Sequence, residues 1–304
     1  MIIKNFKYSC LLIIISVITA LIVGFINGGM NIGIDFTGGS LITVNMGQTF
    51  DSEVVRDLVS QVDGVGKDVS VVTAGDTGEQ ALIRVQNTGD EAATTALTKN
   101  IVAKIQTQFK NAAFGSIDSV GGVASGDLVR NAFSSVLISA ALMLLYIWIR
   151  FDLASGLGAV LALMHDVIVM TSVMCIFQVQ IDSTFIAACL TIVGYSINAT
   201  VVTYDRIREN NKRFNPREYS KSQIVDISVK QTLGRNINTS LTTLIMVAAL
   251  YVFGVNSVKI FTLPLMVGIT AGTFSSILMA PAIWMILDAH IGKKKKHKGV
   301  KSIR

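Results

Sequence analysis

Apolar residues collect into six long runs along the chain: Ser9 to Ile26, Leu128 to Ile149, Leu153 to Phe177, Ser183 to Thr203, Asn236 to Gly254 and Ile260 to Leu287. A helix needs roughly 18 apolar residues to cross a bilayer, so the pattern predicts six transmembrane helices. The last run carries Pro264 and Pro281, which predicts a tilted or broken helix. The first run leads into Asn27, Gly28 and Gly29 without an Ala-x-Ala-like site, so it reads as a span and not as a cleaved signal peptide.

The segment between the first two runs has a different periodicity. Ser40 to Met46 alternates, with Ile42, Val44 and Met46 on one face; Asp68 to Thr73 and Gln80 to Gln86 also read as strands, the second placing Ala81, Ile83 and Val85 together. Asp51 is placed to cap a helix over Asp51 to Val62, in which Val54, Val55, Leu58, Val59 and Val62 fall at helical spacing. A second helix, about Asp90 to Phe109, would bury Ala93, Leu97, Ile101, Ile105 and Phe109, and a strand near Gly115 to Val120 closes the pattern. The order β-α-β-β-α-β predicts a small ferredoxin-like α+β domain, a fold that hosts many functions. The expected architecture is an α-helical polytopic membrane protein. Residues 1–30 form the cytoplasmic N-terminus and first span, and 31–125 an extracytoplasmic domain. Residues 126–288 form a five-span core with a cytoplasmic loop at 204–235, and 289–304 a basic cytoplasmic tail.

Composition agrees with a membrane setting: 51% of the residues are hydrophobic and only 15% charged, too apolar for one soluble domain of this length. The net charge of +6 acts as a topology signal. With both termini inside, Lys4, Lys7, Arg150, the Arg206 to Arg235 segment and the Lys293 to Arg304 tail all fall on the cytoplasmic side, as the positive-inside rule requires. The Lys293 to Lys296 run reads as a solvated tail beside anionic membrane lipid, and no nucleic acid partner is expected.

Candidate chemistry narrows the picture mainly by exclusion. Cys10, Cys175 and Cys189 all lie in apolar runs, where a thiol behaves as a small hydrophobe. Gly64, Gly66 and Lys67 lack the upstream glycine spacing of a phosphate loop, and Asp68 stands where Ser or Thr would hold magnesium. His165, His290 and His297 cannot form a metal triad or a Ser/His/Asp set. No catalytic residue, metal or cofactor is expected, and the protein is read as a non-enzyme whose energy comes from a partner or the membrane gradient.

Polar residues inside the apolar runs are then the candidate site, because such groups are costly in a bilayer. His165 and Asp166 lie about 20 Å of helix from the cytoplasmic end of the third span. Asp166 has two readings, a neutralised carboxyl bonded to a neighbouring helix or a proton-relay acid. Ser196 and Asn198 sit in the cytoplasmic half of the fourth span, and Arg235, Asn236 and Asn238 open the fifth, so antiparallel spans would bring Asn198 and the Arg235 to Asn238 turn to one depth as a polar cluster. Arg235 as a snorkelling anchor is the alternative. Asp35 with Gly38 and Gly39 also reads as a tight turn leaving the membrane. Asp205, Arg206, Arg208 and Glu209 read as an ion-pair belt or a partner contact. The stretch after Asn215 and Pro216, with Ile224, Ile227 and Leu233 on one face, reads as a helix lying on the inner membrane surface, and Gly268 with Gly272 as a close-packing pair.

Three ordered blocks, GIDFTGGS at Gly33 to Ser40, GYSIN with TVVTYDRIREN at Gly194 to Asn210, and NINTSLTTL at Asn236 to Leu244, resemble the signature blocks of the SecF family of bacterial export proteins. The resemblance covers essentially the whole chain. It implies a resistance-nodulation-division-type membrane core that pairs with SecD beside the SecYEG channel in the bacterial cytoplasmic membrane. It further implies use of the proton or sodium gradient to assist exported preproteins, with SecA and YajC as additional partners. A proton-driven small-molecule or lipid transporter and a structural scaffold are the alternative functions. At Ala199 the family pattern commonly has an Asp that takes part in ion transfer near an Arg of the next span, the position of Arg235. Alanine carries neither proton nor cation, so SecD would supply the acid, Asp166 would substitute, or the subunit would be structural. The orientation has a direct check: cysteine labelling of intact cells should reach a probe at Asp76 and spare one at Lys295, and the reverse pattern would overturn it.

Overall fold

The computed structural model describes residues 2–26, 29–65, 69–74, 78–85, 91–215 and 217–300; for 2–10, 12, 13, 16, 91, 122, 123, 256, 257 and 291–300 it describes the backbone alone. Expectations that fall on Asn27, Gly28, Gly66, Lys67, Asp68, Asp76, Gln86, Asp90 and Pro216, on the side chains of Lys4, Lys7 and Cys10, and on those of the Lys293 to Arg304 tail lie outside the described residues. The chain is mostly helical with a small sheet domain, and divides into two units. One is Ile32–Phe133; the other comprises Met1–Asn31 and Ser134–Arg304, so the division falls inside one helix.

The sheet unit holds α2 (Ile34–Thr37), β1 (Gly39–Asn45), α3 (Ser52–Ser60), β2 (Ser70–Ala74), β3 (Gln80–Val85), α4 (Glu91–Gln106) and β4 (Ala113–Val120). Its strands form one antiparallel sheet of order β2-β3-β1-β4, with Ile42 opposite both Ile83 of β3 and Ile117 of β4. Period-two alternation sends Ile42, Val44, Ala81, Ile83 and Val85 to one face, where Val55, Val59, Leu97, Ile101 and Ile105 from the helices cover them. Asp51 caps α3 by accepting from Glu53 N at 2.9 Å. α4 departs from the expected pattern in one place: Ala93 is exposed, and Thr94 and Thr98 take the core-facing stripe beside Leu97. Thr98 Oγ1 donates to Thr94 O at 2.8 Å, which satisfies a hydroxyl that would otherwise be buried unpaired.

In the membrane unit the helices are α1 (Ile2–Ile26), α5 (Gly122–Arg150, shared with the sheet unit), α6 (Leu153–Ile176), α7 (Ser183–Arg213), α8 (Lys221–Phe253), α9 (Asn256–Phe274) and α10 (Ala280–Val300). Among the described residues five helical stretches are long and apolar enough to cross a membrane, and Val17–Ile26 of α1 is a shorter apolar helix. Asp152 and Asp182 cap α6 and α7. Cys175 and Cys189 are buried as free thiols.

Two expectations are corrected here. The segment 204–235 is mostly helix: α7 runs through to Arg213, and after a short turn α8 begins at Lys221 behind a capping box in which Ser220 and Gln223 bond reciprocally. The anticipated surface helix and fifth span are therefore one 33-residue helix, about 50 Å long. Its first turns are held by Val225 and Val229, which bury in one cluster with Ile207 of α7; of the expected face, Ile224 is buried and Leu233 exposed. Of the two readings of the final run, tilted or broken, a break is not found: the stretch stays helical through a π turn. α9 contains Pro264, and a π turn at Ser275–Met279 leads directly into α10, just ahead of Pro281. A proline removes an N–H and crowds the carbonyl one turn earlier, and a widened turn accommodates both without ending the helix.

Gly268 and Gly272 set the approach of α9 to its neighbours. A Cβ on Gly268 would lie 2.5 Å from Ile192 Cγ1 and 2.7 Å from Met170 Sδ, whereas at Gly194 nothing lies within 4 Å. Ile192 and Met170 are themselves buried, so neither has room to retreat. Gly268→Ala should destabilise the protein by about 1–3 kcal/mol through overpacking. Gly194→Ala should be neutral, or stabilising by up to about 1 kcal/mol from helix propensity. Denaturant unfolding of the two variants in detergent micelles checks the contrast.

Candidate intramembrane polar site

The middle of α6 is apolar except for His165 and Asp166, which are 4% and 0% exposed. A carboxylate in such a place must collect hydrogen bonds from its neighbours. Asp166 Oδ2 accepts from Ser196 Oγ of α7 at 2.6 Å and from Ser275 Oγ at 3.0 Å, while Oδ1 lies 2.9 Å from His165 Nδ1. Each element has a local reason to deliver its group. Gly272 brings α9 against α7, since a Cβ there would sit 3.1 Å from Ser196 Cβ and 3.5 Å from Asp166 Oδ2. The π turn shifts the helical phase so that Ser275 and Ser276 are both buried, with Ser276 Oγ donating to Thr273 O. Thr273 Oγ1 donates in turn to Ser240 Oγ at 2.6 Å, tying α9 to α8. The His165 ring stacks on Phe274 at 6.3 Å between centroids.

The structure thus joins two of the residues singled out in the sequence, Asp166 and Ser196. Asn198, Arg235 and Asn238 are exposed, and the polar link near them is made by other side chains: Asn236 Nδ2 donates to Thr203 Oγ1 at 3.1 Å. Arg235 lines a cleft of about 450 Å³ with Asp205, Arg206, Glu209 and Gln231. Around that cleft Arg206 Nε donates to Gln231 Oε1 at 2.7 Å and pairs with Glu209, and Arg150 lies 3.9 Å from Asp205. Arg208 turns the other way, donating to Arg150 O and lying over the Phe151 ring. Pairs this exposed contribute little stability singly and act mainly by fixing side-chain geometry. Below them, buried Asn210 donates to Ser228 Oγ and Gln231 Oε1, a firmer link between α7 and α8.

Asp35, Gly38 and Gly39 belong to the sheet unit. Asp35 lies in the one-turn α2; Gly38 and Gly39 have φ of 70° and 113°, values that favour glycine, and they turn the chain from α2 into β1. Ser275 and Thr203 were not singled out from sequence. A Ser-Ser pair inside an apolar run was the available signal for the first, but isolated hydroxyls in membrane helices usually bond their own backbone.

Residues 99–290 match the family described as protein export membrane protein SecD/SecF, C-terminal. The chain belongs to the SecD/SecF family. A relative named protein translocase subunit SecF, from Cereibacter sphaeroides, is 36% identical over 91% of this chain and 86% of its own length. The protein translocase subunit SecDF of Bacillus subtilis is 34% identical over 84% of this chain but only 34% of its own. A crystal structure of SecDF from Thermus thermophilus superposes with a TM-score of 0.80 and 31% identity, covering 94% of this chain and 38% of that one. With its apolar helices, this SecD/SecF-family chain is a membrane protein. The matched segment contains Asp166, Ser196, Arg235 and Ser275, whereas Asp35, Gly38 and Gly39 precede it.

The contrast between Asn236 and Asn238 is measurable in this SecD/SecF-family chain. Asn236→Ala removes a buried donor and should lower unfolding stability in detergent by about 1–2 kcal/mol. Asn238→Ala at an exposed site should stay within about 0.5 kcal/mol of the parent.

Proposed function

We propose that this chain is a SecF-type subunit of a bacterial protein translocase, working with a SecD-type partner to assist export of preproteins by use of the ion gradient. The observation that carries this reading is the pattern of matches. Relatives named SecF align over most of their length, and the longer SecDF relatives align over about a third of theirs. The remaining part of SecDF then corresponds to the partner. On this reading the membrane core has six spans, α1 being the first, with both termini cytoplasmic and the sheet unit extracytoplasmic. The domain limits are those expected from sequence, 1–30, 31–125, 126–288 and 289–304. The sheet order and its two helical crossovers support a ferredoxin-like class for that unit.

Exposed polar residues support a partner within the membrane. Arg235, Asn238, Thr239 and Thr242 are exposed along one stripe of α8, at i, i+3, i+4 and i+7, and Asn198 is exposed on α7. Only 17% of the α8 apolar window is buried within this chain. In hydrocarbon such a stripe calls for another helix carrying polar groups. Arg235 is then the cation that faces an acid of the SecD-type subunit, since Ala199 offers none. The Asp205, Arg206, Arg208 and Glu209 belt holds the ends of α7 and α8 beneath it. The SecYEG channel, SecA and YajC complete the assembly, and the chain itself performs no catalytic chemistry. Ala199 favours one second reading, a scaffold subunit without its own coupling.

Mild-detergent purification from native membranes should recover the chain together with a SecD-type protein, and recovery of the chain alone from cells that export normally would remove the partner. Arg235→Ala should weaken gradient-dependent export at matched membrane levels, and Arg235→Lys should restore it poorly because lysine lacks the planar fork. Export at parental levels with full ionophore sensitivity in Arg235→Ala would leave Arg235 as an anchor.

A further inference from the structure

Three spans leave their apolar runs at one place, and a cavity opens there. α6 begins at Leu153 behind its Asp152 cap, α7 passes from Thr203 into its charged end, and α10 passes from Trp284 to Asp288. Such a change of polarity marks the level of lipid headgroups. The cavity measures about 250 Å³ and is lined by residues of all three helices. Apart from Phe151 it shares no lining residue with the cleft of Arg235.

Its back and its rim differ in character. Tyr204, Ile207 and Trp284 are almost fully buried and make an apolar back, with the Tyr204 hydroxyl already donating to Ala280 O at 3.0 Å. Arg208, Asn211 and Lys212 are exposed and stand at i, i+3 and i+4 on α7, so one stripe of that helix brings two cations and an amide to the opening. Asp152 of α6 adds a carboxylate to the same lining.

These charges are not matched within the chain. Asp152 Oδ1 accepts from Ser155 N at 2.7 Å, and its Oδ2 accepts no hydrogen bond among the described residues. Neither Arg208 nor Lys212 forms an ion pair among those residues, with Asp152 or with any other carboxylate, whereas Arg150, Arg206 and Lys221 each have one. Arg208 donates to Arg150 O at 3.3 Å, and both guanidinium groups lie over the Phe151 ring, at 5.9 Å and 5.3 Å from its centroid. That aromatic face is therefore already taken by cations of the chain itself. Two cations and one acid thus line a single cavity without neutralising one another.

The pattern is complementary to a zwitterion over an apolar tail. A phosphodiester placed toward Arg208 and Lys212 receives charge-assisted hydrogen bonds from both. A primary ammonium placed toward Asp152 supplies N–H donors for Oδ2. A phosphodiester with no amine would leave the carboxylate facing an anion, and a quaternary ammonium has no N–H to offer it. Leu153 and Ile286, 39% and 41% exposed on the same ends of α6 and α10, give acyl chains an apolar surface.

We infer that this cavity binds the headgroup of phosphatidylethanolamine, with the phosphodiester on Arg208 and Lys212 and the ammonium on Asp152. On the topology proposed above the lipid comes from the cytoplasmic leaflet. The binding itself requires neither a partner subunit nor export.

Native mass spectrometry of the full chain in mild detergent provides the test, with phosphatidylethanolamine, phosphatidylcholine and phosphatidylglycerol of identical acyl chains added in turn. The wild type should bind phosphatidylethanolamine about five-fold more tightly than either of the others, the discrimination expected of one exposed charge contact. Asp152→Asn keeps a side chain that caps α6, and it should abolish that preference. Arg208→Gln combined with Lys212→Gln should weaken all three lipids by about ten-fold, since all three carry the phosphodiester. Inorganic phosphate should leave the bound lipid in place. Equal binding of the three lipids, a preference for phosphatidylcholine or phosphatidylglycerol, an ethanolamine preference that survives Asp152→Asn, or displacement by inorganic phosphate would overturn the inference. The wild type and Asp152→Asn decide it even if the double variant folds poorly. The expected lipid preference without recovery of a SecD-type protein counts against the proposed function alone, and recovery of that protein without the preference counts against this inference alone.

Discussion

A carboxylate held out of water by packed apolar helices is the constraint around which the membrane unit is arranged. An isolated charge there costs several kcal/mol even after relaxation, and removing any one of its donors would expose that cost. Asp166 is tolerated because α7 and the π turn each deliver a serine hydroxyl to Oδ2, and the neighbouring imidazole reaches Oδ1. Those bonds require three elements to meet within hydrogen-bonding distance, so the polar site and the helix packing are the same problem.

Close approach solves it. Helices that share a bilayer gain nothing from hydrophobic burial against one another and associate through small residues and polar contacts. Gly272 lets α9 come against Ser196, Gly268 lets it come against Ile192 and Met170, and the π turn re-phases the chain so that Ser275 points inward beside Asp166. Above and below this centre, Thr273 to Ser240, Asn236 to Thr203 and Asn210 to Ser228 connect α8 to α9 and α7 by the same kind of bond.

The outer face of α8 is the complement. Its exposed Arg235 and Asn238 would be costly in hydrocarbon, and both stay exposed among the described residues, whereas the Thr242 hydroxyl bonds Thr239 O of its own helix. A fold that pairs Asp166, Asn236 and Asn210 inward and leaves polar groups outward on one stripe is in keeping with the SecDF relatives, which are more than twice as long.

How much of this was legible in the sequence depends on the range of the interaction. Local periodicity placed the five helices long and apolar enough to cross a membrane, the strands carrying Ile42 and Ile83, and the Asp51 cap, because those follow from side-chain periodicity and single hydrogen bonds near in sequence. It also marked Asp166 and Ser196 as polar groups in apolar runs. Ala93 misled because an alanine carries too little apolar area to fix which face of α4 turns inward, so tertiary packing chose Thr94 and Thr98. The polar cluster expected at Asn198 and Arg235 was placed by depth alone, and depth does not fix rotation; a turn of 100° per residue put Asn236 inward and its neighbours outward. The 204–235 segment read as a cytoplasmic loop with a separate surface helix because propensity is weak; in the fold α7 extends into it and α8 runs through it, with Val225 and Val229 packed on Ile207. The chain by itself determined that an acid would be buried in the membrane core; only the tertiary structure decided which hydroxyls would hold it, because Ser196 and Ser275 are remote from Asp166 in sequence and meet it only through helix packing.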